Sequence, residues 1–326
     1  MKRMLFVLFS ILFLLSACAP PPAGAAPENS AEPSAAVSQA GQNAVTFTDA
    51  LGREVTVDSP RRVAALLGSF ADIWCLAGGK DLLAAAAGDS WTSFDLGLDE
   101  SVSNLGAVTD PNLELLLNAR PDFILASSNT AADVELRSTF EQASLTVAYF
   151  DIQHFQDYLQ MLDVCTRITG CRENYDKYGV EVIAQVDAAI ARQTGENPSI
   201  LCMRATGFSC TVKGSTDFLL GEMLADLGCV NVADSDSALL ENLSLEAILA
   251  ADPDYIFVVL QGADPTGAMA MLEQTLLSNP AWASLTAVRE GRFYTLEHHL
   301  YHLKPNARWG EAYEKLADIL YPEVGG

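Results

Sequence analysis

Three of the chain's four histidines, His298, His299 and His302, fall within five residues, with Tyr301 among them. Neutral imidazole and phenolate both ligate iron, whether the metal is bare or held in a macrocycle. His299, Tyr301 and His302 are therefore candidates for axial contact with a metal chelate. Neighbouring side chains on extended backbone point to opposite sides, so His298 and His299 are expected to play different roles. His154 is remote in sequence, and a bare zinc or manganese ion would need it to converge with the other three. Arg204 follows the apolar run SILCM, where a guanidinium would clamp a carboxylate or an anionic chelate. Its alternative use is a surface salt bridge. Phe70 and Trp91, in what read as loops, offer aromatic surface for a flat or apolar ligand. Core packing is the competing role for both, and the stronger one for Phe70.

Catalytic chemistry finds little support. There is no GxSxG elbow, and Gly207-Phe208-Ser209 lacks the closing glycine. Neither GxGxxG nor GxxxxGK[ST] is present to cradle phosphate. No catalytic pair stands out among 42 acidic residues. A secreted hydrolase would still require a Ser-His pair in hydrogen-bond contact. The reading is a binding protein with no permanent cofactor. Net charge is −23, which argues against nucleic acid as a partner. Six cysteines follow Cys18, namely Cys75, Cys165, Cys171, Cys202, Cys210 and Cys229, and none forms a CxxC pair. Most sit in apolar runs, where cysteine serves as a small buried hydrophobe.

The elements that must position these side chains are organised around residues 172–193. Tyr175, Tyr178, Val182, Val186 and Ile190 recur at helical steps between charged residues. At about 1.5 Å per residue the run is ~33 Å long. On either side lie two similar blocks, NLELLLNARPDFILA (112–126) and SLEAILAADPDYIFVV (244–259). In each, a Leu-Glu pair opens a short helix, Pro-Asp follows at the same spacing, and an apolar strand comes next. Matched blocks imply paired α/β lobes. Glu114 and Glu246 hold matched places in them. A partner with two-fold symmetry and one basic socket per subunit would engage both glutamates.

Alternation and turn residues predict a hairpin over 45–57, followed by strands and helices in alternation to residue 150. A second helical segment over 152–169 precedes the long helix. Strand–helix alternation then resumes from residue 199. The expected fold is α/β: two doubly wound lobes, 45–150 and 198–326, joined by a helical connector over 151–197, with the ligand cleft between them. Lys2 and Arg3 precede an apolar run that ends at Leu15-Ser16-Ala17-Cys18. Residues 1–17 resemble a bacterial lipoprotein signal peptide, which implies cleavage before Cys18 and lipid on that residue. Residues 18–44 are rich in Pro, Ala and Ser and read as a lipidated cysteine followed by a flexible tether. The expected location is the outer face of a cell membrane.

Several stretches are together similar to the iron-siderophore, haem and vitamin B12 class of ABC-transporter substrate-binding lipoproteins. They are FTDALGREVTVDSPRRVAAL, LGAVTDPNLELLLNARPDFILAS, LLGEMLADLGCVNVA, SLEAILAADPDYIFVV and NPAWASLTAVREGRFYTL. The resemblance covers residues 45–323. It implies two lobes on one backbone helix, a stiff hinge, and a metal chelate held in the cleft as cargo. It also implies an ABC importer as partner, a permease dimer with its ATPase subunits. One glutamate per lobe docks on permease arginines in that class, and these map to Glu114 and Glu246. The resemblance leaves an iron siderophore, haem and cobalamin all open as ligands. The His/Tyr cluster favours haem or another iron chelate, and Arg204 suits an anionic siderophore equally well.

Overall fold

A computed structural model describes residues 44–216, 218–262 and 265–322, all within one compact unit. The expected signal segment, Cys18 and the tether as far as residue 43 lie outside the described residues. The tether was expected to run to residue 44, but Ala44 already pairs with Asp58 in the first hairpin. That hairpin joins β1 (Ala44–Thr48) to β2 (Glu54–Asp58). Asp49 closes its turn by accepting the Leu51 and Arg53 N–H groups at 3.0 Å and the Arg53 guanidinium at 2.6 Å. Among the described residues no helix is long and apolar enough to cross a membrane.

The first lobe is built on β3 (Val63–Ala65), β4 (Leu83–Ala86), β5 (Ser103–Asn104), β6 (Phe123–Ser127) and β7 (Thr146–Phe150). All are parallel, in the order β5-β4-β3-β6-β7. Every residue of β3, β4 and β6 is buried. A strand covered on both faces must be apolar throughout, which is why these runs do not alternate. The second lobe carries β8 (Ser199–Ala205), β9 (Cys210–Lys213), β10 (Val230–Asn231), β11 (Tyr255–Leu260) and β12 (Phe293–Leu296). Here β10-β8-β11-β12 are parallel, and β9 folds back antiparallel on β8. The two sheets are separate, and in each the strand order reverses beside the first strand, between β3 and β6 and between β8 and β11. Open α/β sheets bind ligands outside the carboxyl ends at such reversals.

The repeated blocks share more than a pattern. Asn112 and Ser244 cap helices Leu113–Asn118 and Leu245–Ala251, accepting the Leu115 and Ala247 N–H groups at 2.9 and 3.3 Å. Arg120 and Asp252, each just before proline, both take a left-handed conformation, φ 49° and 39°. Proline disfavours right-handed helix at the preceding residue, so the chain turns sharply there. The aspartate after each proline then fastens the neighbouring strand. Asp122 accepts the Arg61 and Arg62 N–H groups at 2.9 Å. Asp254 accepts the Ser199 N–H at 2.8 Å and its hydroxyl at 2.7 Å. Each Pro-Asp pair thus locks a helix–strand unit to the strand beside it, β6 to β3 and β11 to β8.

Helix Phe155–Thr169 ends at Gly170 in the left-handed conformation, as a helix stop requires. The long helix begins at Arg172 but is not uniform. It widens into a π turn over Asp176–Val180, where the Tyr158 hydroxyl donates to the Tyr178 carbonyl at 2.7 Å. It ends at Ile190, three residues before the expected end, and the chain folds back through turns at Ala191 and Arg192. One buried cluster takes in Trp74 of the first lobe, Tyr158 and Val186 of the connector, Phe257 of the second lobe, and Trp309 and Tyr313 of the final helix Trp309–Leu320. Close-packed cores do not deform gradually, so a core common to both lobes limits how far they can move.

Gly310 sits where the final helix crosses the connector. A Cβ there would stand 2.0 Å from the Gln185 side-chain oxygen and 2.6 Å from its Cβ. Gly310→Val should therefore push the helices apart at a cost of about 1–3 kcal/mol, read as a lowered urea midpoint. An unchanged midpoint would mean that this crossing is not tightly packed.

Candidate ligand-binding cleft

The chain from β12 onward builds the floor of the site. Residues His298–Tyr301 form one short helical turn, not the expected extended loop. The His298 and His299 rings consequently lie side by side, centroids 3.9 Å apart, instead of facing opposite ways. The segment then crosses to the first lobe, where Asn306 is wholly buried. Its amide donates to the Ser69 carbonyl at 3.0 Å and to Asp72 at 2.8 Å. Residues 298–308 are thus a strap pinned to both lobes.

Two cavities flank the strap and share Lys304. The first, about 180 Å³, is bounded by Gln153 and His154 after β7, Arg204 at the end of β8, Phe218 and Glu222, and His302. The second, about 270 Å³, is bounded by Asp72, Phe94, His299 and Arg308. The first lies beside the carboxyl end of β8, the end of an open α/β sheet at which ligands bind.

The first cavity brings Arg204, Lys304 and the carboxylate of Glu222 to one wall. The Arg204 Nε is buried with no hydrogen-bond partner among the described residues. Among the described residues neither Arg204 nor Lys304 has a carboxylate within ion-pair distance. Burial lowers the Lys304 pKa, against the pull of Asp151, Asp157 and Glu222. Burial, reinforced by Arg204 and Lys304, pushes His302 down to about 4, so its imidazole is neutral at physiological pH. Neutral imidazole is the form that ligates metal. Buried cations without counterions are costly, and an anion entering the cavity would relieve that cost. At the mouth His154 is paired with Glu222 at 2.5 Å, which raises the His154 pKa and ties the connector to the second lobe.

The structure separates the residues expected to bind ligand. Arg204 and His302 border the first cavity and His299 the second. His298 lies half-buried against His299. Tyr301 does not reach the cleft. It is 1% exposed, and its hydroxyl donates to the Ala312 carbonyl at 3.1 Å. Burial raises its pKa and keeps the phenol protonated, which corrects the expectation of a phenolate ligand. Phe70 is likewise a core residue. The helix starts at Gly68, earlier than expected, and its first turns carry Phe70 inward, edge-on to Phe150 at 6.2 Å. Trp91 lies on a short helix, half-buried against the same core, and borders neither cavity. No group of three or more His, Cys, Asp or Glu side chains placed to hold a metal ion is found among the described residues. Lys304, Glu222 and Phe94 are site residues that periodicity and motif spacing do not single out. Only the position of Lys304, two residues beyond His302, offered a cue.

A family model described as periplasmic binding protein matches residues 63–300. The chain belongs to that family. As a periplasmic binding protein it is a binder and not an enzyme. An Fe(3+)-citrate-binding protein of Bacillus subtilis is 24% identical over 264 residues, 76% of each chain. A high-affinity heme uptake system protein of Staphylococcus aureus is 22% identical over 228 residues, 69% of this chain and 76% of that one. The apo form of a periplasmic heme-binding protein from Roseiflexus superposes with a TM-score of 0.65 at 21% identity, covering 80% of this chain and 98% of its own. That superposition bears on the fold alone, and it confirms the two-lobe α/β architecture.

Proposed function

We propose that this periplasmic binding protein captures an anionic iron chelate, an iron siderophore or haem, and delivers it to an ABC importer. The observation that carries the reading is a pair of cations, Arg204 and Lys304, with no ion pair among the described residues, beside the neutral imidazole of His302. Carboxylates of citrate-type siderophores and haem propionates supply the missing counter-charge, and His302 or His299 offers nitrogen to iron. Cobalamin, whose periphery is mostly neutral amides, makes less use of that charge. The relatives named for ferric citrate and heme support the same class of cargo. Lipid on Cys18 would hold the protein at the outer face of the membrane.

Docking falls to Glu114 and Glu246. Both are exposed in the first turn of matched capped helices, one per lobe, where a carboxylate is favoured by the helix N-terminus. Basic sockets on the two permease subunits would receive them, with the ATPase subunits on the far side of the membrane. The function is tested by titrating the domain from residue 44 onward with haem, ferric citrate and cyanocobalamin, and by measuring uptake in cells. The double variant Glu114→Ala, Glu246→Ala should bind the anionic chelate as the parent does while uptake falls at least about tenfold, the loss expected when interfacial ion pairs are removed. Impaired binding in that variant would contradict the docking role, and preferential binding of cyanocobalamin would overturn the cargo assignment.

A further inference from the structure

The ion pair at the mouth of the first cavity joins two parts of the chain that are far apart in sequence. His154 lies between β7 and the connector helix Phe155–Thr169, and Glu222 is on the second-lobe helix Leu219–Asp226. Their side chains remain 49% and 30% exposed. An ion pair that open to water adds little to stability, so holding the lobes together is a poor account of it. Nor is the ring needed to place the chain, because the His154 N–H donates to Asp157 at 2.9 Å whatever the side chain.

What the pair fixes is the place of a carboxylate. Glu222 borders the same cavity of about 180 Å³ as Arg204 and Lys304, the two cations that the anionic-chelate reading rests on. Its charge reaches them: Glu222, with Asp151 and Asp157, pulls the Lys304 pKa up against the effect of burial. Yet among the described residues Glu222 makes its ion pair with His154, and neither cation has a carboxylate at pairing distance. A carboxylate carried by the chain itself would compete with a ligand at an effective concentration on the order of millimolar, and one left beside the cations would also repel an incoming anion.

We propose that His154 is a positioning residue for anion capture: its imidazole holds the Glu222 carboxylate at the mouth and so keeps it from occupying Arg204 and Lys304. This rests on the anionic-chelate reading and adds to it a residue that acts through another side chain. Two consequences have opposite signs. Removing the imidazole releases Glu222 to the cations and weakens anion binding. Removing the carboxylate strengthens binding, and it leaves His154 with nothing to restrain.

The test titrates wild type, His154→Ala, Glu222→Gln and the double variant near neutral pH, with ferric citrate by calorimetry and haem by its Soret band. Both positions are partly exposed, so all four proteins should share one circular dichroism spectrum. For the anionic chelate that wild type binds, His154→Ala should lose about tenfold in affinity and Glu222→Gln should gain about threefold. The double variant should bind within about twofold of Glu222→Gln, because the loss has no cause once the carboxylate is gone. Weaker binding by Glu222→Gln would overturn the proposal, since a latch between the lobes loses as much from either partner. A His154→Ala loss that persists in the Glu222→Gln background would overturn it too, making His154 a direct ligand contact, and so would unchanged affinity in His154→Ala. Wild type that binds neither ferric citrate nor haem would instead remove the anionic-chelate function itself.

Discussion

Arg204→Glu is expected to weaken binding of an anionic iron chelate by about a thousandfold, because breaking a buried charge pair costs about 3–5 kcal/mol. The guanidinium lies at the end of β8 with its Nε buried and, among the described residues, without a hydrogen-bond partner. Among the described residues no carboxylate lies within ion-pair distance of it. A bound carboxylate would pair with it in the planar, forked geometry that only arginine offers. The substituted carboxylate would face the incoming anion, with Glu222 already on the same wall. Lysine at that position would keep the charge and lose the fork, so Arg204→Lys should fall between the two. Calorimetric dissociation constants for the three proteins decide the matter. A loss below about threefold for the glutamate variant would take Arg204 out of the site.

Asp133→Asn should change how stability depends on pH. Asp133 is wholly buried in the short helix Ala131–Glu135. One carboxylate oxygen accepts the Ser127 N–H at 2.7 Å, and the other has no partner. Burial pushes its pKa up from 3.8 to about 7, against the effect of that single hydrogen bond. The unfolded chain releases this proton near pH 4, whereas the folded chain keeps it to about pH 7. Between those values the native state holds the extra proton, so stability falls as pH rises and levels off above 7. A shift of this size corresponds to at most about 4 kcal/mol. Asparagine keeps an acceptor for Ser127 and cannot ionise. The stability gap between the variant and wild type should therefore move in the variant's favour from pH 4 to pH 8, as measured by urea unfolding. An equal gap at both ends would show that Asp133 is not held in its neutral form.

The repeated Pro-Asp blocks were legible because they act locally. A cap, a left-handed residue before proline and an aspartate one step on need only the chain's own geometry, so they leave a spaced pattern. Arg204 was legible for a related reason, being a charge at the end of an apolar strand. Phe70 and Tyr301 misled because aromatic type says nothing about direction. Starting the first helix at Gly68 turns Phe70 inward, and one helical turn at His298 carries Tyr301 beneath the final helix. Glu222 left no trace in the pattern, since it matters only through neighbours far away in sequence, and Lys304 left only its nearness to His302.

The order of apolar runs, caps and breakers along the chain was enough to determine two α/β lobes, a helical connector and a pair of matched glutamates, because those features follow from local backbone chemistry and periodicity. What lines the cleft was decided only by the tertiary structure. Bringing Arg204, His302 and Lys304 to one cavity takes the carboxyl end of β8 and a strap pinned by Asn306 to the other lobe. Burial then sets their chemistry, because shared exclusion of water keeps the His302 imidazole neutral and makes the two cations costly.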